Sequence, residues 1–388
     1  MVQPLLKVMF WLGVSTVVYV HLLYPVLIRV LAGLRPGRRR SGDVRNTLPY
    51  SVILAVRDEA PRISARLDDL LASTGTAERC VEVIVVADGC TDATAALARS
   101  HQSPLVRVVE LADNEGKARA ISCGCEVAQG DVIVFADARQ RWAANSLQRL
   151  LENFDRAEVG GVTGELVIEA PAGLAGVGLY WRYEKWLRRN EARLHSTVGV
   201  SGSISAVRRA LFLPIPRGLL LDDLYWPLQV VMQGRRVVYD ERALAYDRLP
   251  DRPADEFWRK VRTLSGNFQL VAALPRALLP WRNPIWTQFV SHKLLRLVVP
   301  WMLLAVLLAS ALLDGALYRI AFVAQAIFYG LTLSALAGGP GARWRVVTAA
   351  TGFIVLNAAA WLAFWVWILG RAEGSWKKVS YDVSLPPE

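Results

Sequence analysis

The chain has 388 residues, of which 53% are hydrophobic and 20% are charged, and its formal net charge is +11. The mean hydropathy of +0.29 is too high for an ordinary soluble enzyme, whereas the charged fraction is too high for a protein made only of membrane helices. Basic residues concentrate at the edges of apolar segments, which argues against nucleic acid as a partner. The composition therefore predicts a globular domain joined to membrane segments.

Charged residues are distributed unevenly along the chain. They are scarce from Leu5 to Leu34, recur from about Leu48 to Trp286, and are scarce again from Leu294 to Leu369. The last region contains about three apolar stretches, Leu297–Leu313, Ala316–Ala337 and Val346–Leu369. We predict an N-terminal transmembrane helix at 1–34, a globular domain at 48–255, interfacial amphipathic helices at 256–293, a transmembrane bundle at 294–370 and a tail at 371–388.

A cluster of arginines follows the first apolar segment: Arg35, Arg38, Arg39, Arg40 and Arg45. By the positive-inside rule, this cluster predicts a multi-pass protein of the inner (plasma) membrane whose globular domain is cytoplasmic. A signal peptide is the alternative for the N-terminus. The stretch is long for a signal peptide, lacks a small-residue cleavage pattern and carries its positive charges after the apolar run.

The sequence leaves open on which side of the membrane the chain ends. One N-terminal span and three C-terminal spans place the C-terminus outside, whereas Arg371, Lys377 and Lys378 favour the inside. One of the apolar stretches could instead form a hairpin or lie in the interface.

Three segments mix aromatic with basic residues: 180–189, 257–260 and 281–286. This mixture suits the headgroup region of a bilayer and predicts helices that contact membrane lipids of the inner leaflet. For the first segment, a helix packed into the core of the soluble domain is the alternative. The four cysteines, Cys80, Cys90, Cys123 and Cys125, lack zinc-ligand spacing and are interpreted as small apolar residues in a reducing compartment.

Short apolar strands alternate with helical stretches in the globular part. Strands are predicted at 51–56, 81–87, 106–111 and 131–136, and helices at 63–72, 93–100 and 117–128. This βαβ rhythm predicts an α/β fold with a parallel sheet that is covered on both faces.

Two of these strands end on an aspartate. Val83–Ala87 runs into Asp88-Gly89, and Val132–Ala136 runs into Asp137. Ligands of open α/β sheets bind outside the carboxyl ends of the strands, so the two carboxylates are expected to share one crevice. Such carboxylates can hold a base or ribose, or a metal ion that carries a phosphate.

Other polar residues follow the predicted strands. Gly89 permits a tight turn, and Asp92 is interpreted as the cap of the helix that begins near Ala93, in preference to a ligand. Lys117 lies at a predicted helix start, a position that attracts phosphate. Asp222-Asp223 follows an apolar run, which favours a functional pair over a solvated acidic turn.

Taken in order, these segments resemble the motifs of family 2 glycosyltransferases with the GT-A fold. In the first half, the resemblance lies in the strand segment Ser51–Glu59, the turn Asp88–Asp92, the pair Gly116-Lys117 and Asp137-Ala138-Arg139 at the Asp-x-Asp position. In the second half, it lies in Gly199–Ser203, in Leu221-Asp222-Asp223 with Gly234 downstream, and in Arg259–Thr263, where membrane synthases carry Gln-x-x-Arg-Trp. It runs from about Pro49 to Asn267, with membrane helices at both ends as in polysaccharide synthases.

The resemblance implies a site for a nucleotide sugar. Asp88 would hold the nucleoside, with Ala55, Arg57, Glu59 and Gly89 nearby. Lys117, Arg262 and a divalent metal (Mg²⁺ or Mn²⁺) held by Asp137 would neutralise the diphosphate.

The resemblance also implies an acceptor site. Asp223, beside Asp222, would take the proton of the attacking acceptor hydroxyl. Ser201, Gly202 and Trp181 would contact the acceptor.

Two positions depart from the family pattern. Arg139 replaces the second acid of Asp-x-Asp; it would either pair with the diphosphate, as a donor-binding residue, or turn away to bind an acid. Arg259 and Thr263 replace the Gln and Trp of Gln-x-x-Arg-Trp, which weakens the expectation of a long processive polymer.

The expected activity is inverting transfer from a UDP-sugar to a polysaccharide or a lipid-linked acceptor. Transfer of one sugar to a polyprenyl phosphate or other lipid is the alternative within this class. A degenerate nucleotide-binding scaffold among the subunits of a secretion complex is the alternative outside it. An oxidoreductase is disfavoured because no Gly-x-Gly-x-x-Gly follows the first strand.

Overall fold

The fold was analysed in a computed structural model of the chain. The structure describes residues 2–35, 48–75, 79–169, 175–248, 253–339 and 344–371. Arg38, Arg39, Arg40, Arg45, Lys377 and Lys378, on which the orientation arguments partly rest, lie outside these ranges.

The chain begins with a long helical segment and continues into an alternating α/β region. Helices α1 (Val2–Val18) and α2 (Tyr24–Leu34) are joined by a π-helical turn, Tyr19–Leu23. The alternating elements are β1 (Tyr50–Val56), α3 (Ile63–Thr74), β2 (Cys80–Asp88), α4 (Thr94–Arg99), β3 (Val106–Leu111), α5 (Lys117–Val127) and β4 (Val132–Ala136). These agree with the predicted βαβ order to within two residues at most ends.

The second half of the chain completes the sheet and ends in helices. Its sheet region contains β5 (Arg141–Trp142), α6 (Ser146–Leu151), β6 (Val159–Glu169), α7 (Ala175–Leu194), β7 (Ile204–Arg208), α8 (Asp222–Met232) and β8 (Arg236–Arg248). The helices that follow are α9 (Pro253–Ala273), α10 (Trp286–Gln288), α11 (Leu295–Leu312), α12 (Ala316–Leu336) and α13 (Arg345–Ile368).

The described strands form one mixed sheet in the order β3-β2-β1-β4-β7-β6-β8-β5. The pairs β2–β3, β1–β2 and β1–β4 are parallel, as the βαβ rhythm predicts. The strands of the second half, which the βαβ prediction did not cover, make the sheet mixed: β7 runs antiparallel to both β4 and β6, whereas β6 and β8 are parallel. The carboxyl ends of β1, β2 and β4 therefore lie at one edge of the sheet.

The sheet buries apolar side chains on both faces because successive strand residues point to opposite sides. Ile53, Ile84 and Ile133 belong to a core that includes residues of α5 and α8, whereas Val52 and Val83 belong to a core that includes residues of α3 and α6. This double burial explains why the strands are continuous apolar runs rather than alternating ones.

Four helical segments of the described chain are long and apolar enough to cross a membrane: Val2–Leu34, Trp286–Leu312, Ala316–Leu336 and Val346–Ile368. The second of them begins at Trp286, inside the segment 256–293 that we assign to interfacial helices. The domain boundaries themselves stay predictions.

Helices α7 and α9 connect the sheet domain to these segments. Leu187 of α7 packs with Tyr24 and Ile28 of α2, and Val261 of α9 packs with Ala359 and Ala363 of α13. Helix α7 also ion-pairs with the sheet through Lys185, whose Nζ lies 2.6 Å from Glu165 Oε1. It therefore touches both the sheet domain and the N-terminal helical segment Val2–Leu34.

Candidate active site

A pocket opens at the sheet edge where β1 and β4 end. Its lining includes the two charged groups Lys117 and Asp137, the buried Asp222, and the two small residues Ala55 and Gly202. The strand ends thus bring together side chains that lie as far apart in the sequence as Ala55 and Asp222, as expected for the carboxyl edge of a parallel sheet.

Lys117 and Asp137 form an ion pair on the wall of this pocket. The Lys117 Nζ lies 2.6 Å from Asp137 Oδ1. Burial alone would raise the pKa of Asp137, but the neighbouring Lys117 ammonium holds it below its usual value. Burial opposes the charge of Lys117, but Asp137 and Asp222 together raise its pKa. Both groups are therefore charged at neutral pH, and the pocket carries a fixed cation.

The two acids at the start of α8 have different surroundings. Asp222 is buried and lines the pocket, where burial raises its pKa. Asp223 is half-buried, and its Oδ1 has no hydrogen-bond partner among the described residues. Burial and the charge of Asp222 raise the pKa of Asp223 to about 7. A carboxylate with a buried, unpaired oxygen and a pKa near neutrality has the properties of a general base.

Helix α9 brings one of its arginines to the acidic pair. Burial lowers the pKa of Arg262, while the charges of Asp222 and Asp223 raise it. Arg259, from the same motif segment, instead pairs with Glu256, with its Nε 2.7 Å from Oε2. Thr263 is exposed and donates to the Arg259 carbonyl. Of the Arg259–Thr263 segment, Arg262 is thus the residue that adds charge to the site.

Arg139 turns away to an acid, which was one of its two predicted alternatives. Its Nε and Nη2 lie 3.0 and 2.7 Å from the two carboxylate oxygens of Asp247 in β8. Gln140 donates to the same carboxylate. The prediction that Arg139 pairs with the donor is not supported by this geometry, although its charge still helps to lower the pKa of Asp137. Sequence reasoning missed Asp247, for which no motif gave a signal.

This ion pair makes a prediction for stability. Replacing Arg139 by alanine should lower the free energy of unfolding by about 2 kcal/mol, because Asp247 is buried and loses its cation. Arg99→Ala is the matched control, since Arg99 pairs with Glu110 at an exposed site and should cost less than about 1 kcal/mol. Thermal unfolding of both variants in the same detergent measures the difference, and equal Tm values would contradict the prediction.

Asp88 holds the loop that precedes Lys117. It is buried, and its two oxygens accept hydrogen bonds from the backbone N–H groups of Glu115 (2.7 Å) and Gly116 (2.9 Å). Gly89 has φ +55°, and a Cβ there would lie 2.3 Å from the Asn114 nitrogen. The turn thus positions the start of α5. A contact of Asp88 and Gly89 with the nucleoside stays a prediction.

The remaining residues of the predicted nucleoside site lie at the rim. Arg57 is exposed, and Glu59 pairs with Arg62 at 2.9 Å. Asp92 accepts from the Thr94 N–H at 2.9 Å, as the capping interpretation expects. Asp92 also lies close to Asp58 and Cys90 in an arrangement that could hold a metal ion. The backbone N–H groups of Ala60 and Thr91 already occupy oxygens of Asp92 and Asp58.

Of the three predicted acceptor residues, Gly202 lines the pocket, whereas Ser201 is not among the lining residues that the structure describes. Ser201 is buried, and its Oγ lies 2.6 Å from Ser203 Oγ. A Cβ on Gly202 would lie 3.2 Å from Lys117 Nζ and 3.7 Å from Asp137 Oδ2, so this glycine lets the chain approach the charged pair. Trp181 is in α7, and its side chain lies outside the described set.

The pocket's carboxylates fit a divalent cation. Mg²⁺ is commonly held by one or two carboxylates together with substrate phosphates. Asp137 and Asp222 both line the pocket, so they supply two such groups even though residue 139 supplies none.

The fold is shared with a known glycosyltransferase structure. A mannosyltransferase from Pyrobaculum calidifontis, solved in complex with GDP-Man and Mn²⁺, matches with a TM-score of 0.70. It is 20% identical and covers 94% of this chain and 99% of that chain, so the likeness concerns the fold. The predicted α/β GT-A fold with additional helical segments is confirmed.

Sequence comparison assigns the domain to a family. The model of Glycosyl transferase family 2 matches residues 51–213. A dolichyl-phosphate beta-glucosyltransferase from Drosophila melanogaster is 41% identical over 101 residues, which are 24% of this chain and 31% of the relative. A poly-beta-1,6-N-acetyl-D-glucosamine synthase from Staphylococcus aureus is 22% identical over 227 residues, 56% of this chain and 54% of the relative. The chain thus spans between 31% and 54% of the length of these relatives.

These findings concern the sheet domain. It has the GT-A fold that it shares with the mannosyltransferase. Residues 51–213 match the model of Glycosyl transferase family 2, and the motif segments at Asp88, Lys117 and Asp137 lie within this match.

Proposed function

We propose that the protein is an inverting glycosyltransferase that moves a sugar from a nucleotide-sugar donor, expected to be a UDP-sugar, to a polysaccharide or lipid-linked acceptor at the inner membrane. The observation that carries this proposal is the carboxylate of Asp223. Its Oδ1 is buried without a hydrogen-bond partner among the described residues, its pKa is raised to about 7, and the preceding residue, Asp222, lines a pocket with a fixed cation, Lys117. A general base and a cation for a leaving diphosphate are what sugar transfer requires.

The transfer step can be assigned to these residues. The acceptor oxygen attacks C1 from the face opposite the diphosphate, and its proton passes to Asp223. The bond between C1 and the diphosphate oxygen breaks, and its electron pair stays on that oxygen. Lys117 and Arg262 stabilise the charge that develops on the leaving group. Attack from the opposite face inverts the anomeric centre.

A divalent metal has a defined place in this proposal. Asp137 and Asp222 would hold Mg²⁺ or Mn²⁺, which supplies further positive charge for the diphosphate. Chelation with EDTA should lower the rate of transfer by at least about 10-fold, and added Mg²⁺ or Mn²⁺ should restore it. A rate unaffected by EDTA would mean that Lys117 and Arg262 suffice without a metal.

Two relatives favour different acceptors. The name of the Staphylococcus aureus relative describes a polymer, and that of the Drosophila melanogaster relative describes a lipid phosphate. The four candidate membrane segments suit either acceptor. The size of the product separates them, since a ladder indicates a polymer and a single lipid-linked sugar indicates one transfer.

Release of the nucleoside diphosphate tests the activity itself. Purified protein in lipid nanodiscs is incubated with a panel of nucleotide sugars, with Mg²⁺ or Mn²⁺ and with membrane lipid extract. We expect release from one donor and mass analysis to show the matching sugar on the product. Binding of a donor without release from any donor, with and without metal, would favour the degenerate nucleotide-binding scaffold, and absence of both would contradict the proposed activity.

A further inference from the structure

The membrane side of the site contains two cations with no bonding partner. Arg188 of α7 and Lys293, which lies in the segment Trp286–Leu312, are both half-buried. Within the ranges that the structure describes, neither side chain forms a hydrogen bond or an ion pair. Half-buried cations are usually paired, because removal from water penalises an isolated charge.

Both cations act on the proposed base. Burial and the charge of Asp222 raise the pKa of Asp223, whereas the charges of Lys117, Lys293 and Arg188 lower it. Asp222 lines the donor pocket, so Asp223, the next residue, is subject to the cation of that pocket and to the charges of Arg188 and Lys293. An acceptor group bound by this pair would be next to the base.

Glu184 and Glu191, the acids of α7 whose charges act on Lys293, form their bonds with other groups. Glu184 of α7 bonds to His292 at 3.0 Å and ion-pairs with Arg296. The Oε1 of Glu191 accepts from Tyr24 at 2.6 Å and lies 2.8 Å from His292 Nδ1. These bonds connect α7 to the candidate membrane segments. They hold in place the two helical segments that carry Arg188 and Lys293.

The location indicates how the ligand arrives. Leu187, next to Arg188, packs against α2, and Lys293 lies near the start of a candidate membrane span. A ligand that reaches these cations from the membrane would carry an apolar tail along the helices and an anionic head at the domain boundary. Phosphate is an anionic head group that arginine and lysine bind through charge-assisted hydrogen bonds.

We propose that Arg188 and Lys293 form a subsite for the phosphate group of a lipid-linked acceptor, and that this subsite places the acceptor beside Asp223. The proposal rests on the proposed function and narrows its acceptor from any glycan to one that carries a lipid phosphate. Lys117 and Arg262 serve the donor diphosphate, so the two phosphate-binding pairs are separate and their loss should have separable effects.

Binding of farnesyl phosphate tests the subsite without any need for turnover. The full chain in phosphatidylcholine nanodiscs should bind farnesyl phosphate, and the double variant Arg188→Gln/Lys293→Gln should bind it at least about 10-fold more weakly, because two charge-assisted bonds are lost. Arg193→Gln, an exposed change on the same helix, is the matched control and should bind like the wild type. Arg188→Lys/Lys293→Arg should recover most of the affinity.

Two further ligands, farnesol and inorganic phosphate, show whether the subsite recognises a lipid-linked phosphate or free phosphate. Farnesol should bind weakly and equally to wild type and double variant, and inorganic phosphate should compete poorly. Equal binding of farnesol and farnesyl phosphate, or unchanged binding in the double variant, would overturn the subsite. Inorganic phosphate that binds as tightly as farnesyl phosphate would overturn the lipid-linked source.

Kinetics separate this proposal from the proposed function. The double variant should raise KM for the acceptor while equilibrium binding of the nucleotide sugar stays unchanged. Altered donor binding instead would assign Arg188 and Lys293 to the donor. If the wild type releases no nucleoside diphosphate, the proposed glycosyltransferase activity is wrong. The binding of farnesyl phosphate would still test the subsite independently.

Discussion

Replacing Asp223 by asparagine is expected to lower kcat for sugar transfer by about 10³-fold, within the range reported for loss of a general base. Binding of the nucleotide sugar should be nearly unchanged, because the donor pocket is lined by Lys117, Asp137 and Asp222 rather than by Asp223. Single-turnover transfer and equilibrium binding of the donor measure the two effects separately. Asparagine keeps the shape of the side chain, so a folding defect is not expected.

Asp222→Asn is the informative companion of this variant. Asp222 lines the pocket, so its loss should raise KM for the donor more than it lowers kcat. Asp68→Asn, at an exposed acid outside the site, serves as the control that should change neither value. If Asp223→Asn weakens donor binding as much as Asp222→Asn does, Asp223 is a donor ligand and the assignment of the base is wrong.

The pH dependence of the wild type provides an independent test. The pKa of Asp223 is raised to about 7 by burial and by Asp222. Its base form is lost as the pH falls through that value, so kcat/KM should decline by about 10-fold per pH unit well below pH 7. A profile that is flat from pH 5 to 8 would show that no group with such a pKa takes part.

The parts of the site that lie at strand ends could be predicted from the sequence. Residues 83–87 and 132–136 are short, β-branched apolar runs typical of buried strands, and such runs indicate where Asp88 and Asp137 lie. The βαβ rhythm then determines that these ends share an edge. Local pattern is sufficient here because parallel strands in this arrangement have one permitted handedness of connection.

The pairings within the site could not be predicted. Arg139 and Asp247 are 108 positions apart, and their contact depends on β8 lying in the second half of a mixed sheet. Periodicity gives no information about such registers, because antiparallel insertions such as β7 leave no trace in the apolar pattern of β4. The same holds for Glu184 and His292, also 108 positions apart, whose contact joins α7 to the segment Trp286–Leu312.

Replacement of Lys117 is expected to have the second large effect on sugar transfer. Lys117→Met should lower kcat/KM for transfer by about 10²- to 10³-fold, because it removes a preorganised cation from the diphosphate site. Its loss also leaves Asp137 without the neighbour that lowers its pKa, so repulsion between Asp137 and the donor phosphates should weaken donor binding as well. Donor titration and steady-state kinetics measure both consequences.

Arg119→Met is the matched control for this variant. Arg119 lies two residues further along α5 and pairs with Glu126 at 3.0 Å, away from the pocket lining. It removes the same charge from the same helix, so any effect common to both variants reflects net charge or helix stability. If Lys117→Met and Arg119→Met have the same kcat/KM, the Lys117–Asp137 pair has only a structural role.

Lys117→Arg separates charge from fit. The guanidinium keeps the positive charge but is larger than the ammonium, and Gly202 leaves little space, since even a Cβ there would lie 3.2 Å from Nζ. We therefore expect Lys117→Arg to retain donor binding better than Lys117→Met while kcat stays low. Full recovery by arginine would mean that charge alone suffices. No recovery of binding would mean that the donor needs the compact ammonium beside Asp137, which ties the glycine at position 202 to the chemistry of the leaving group.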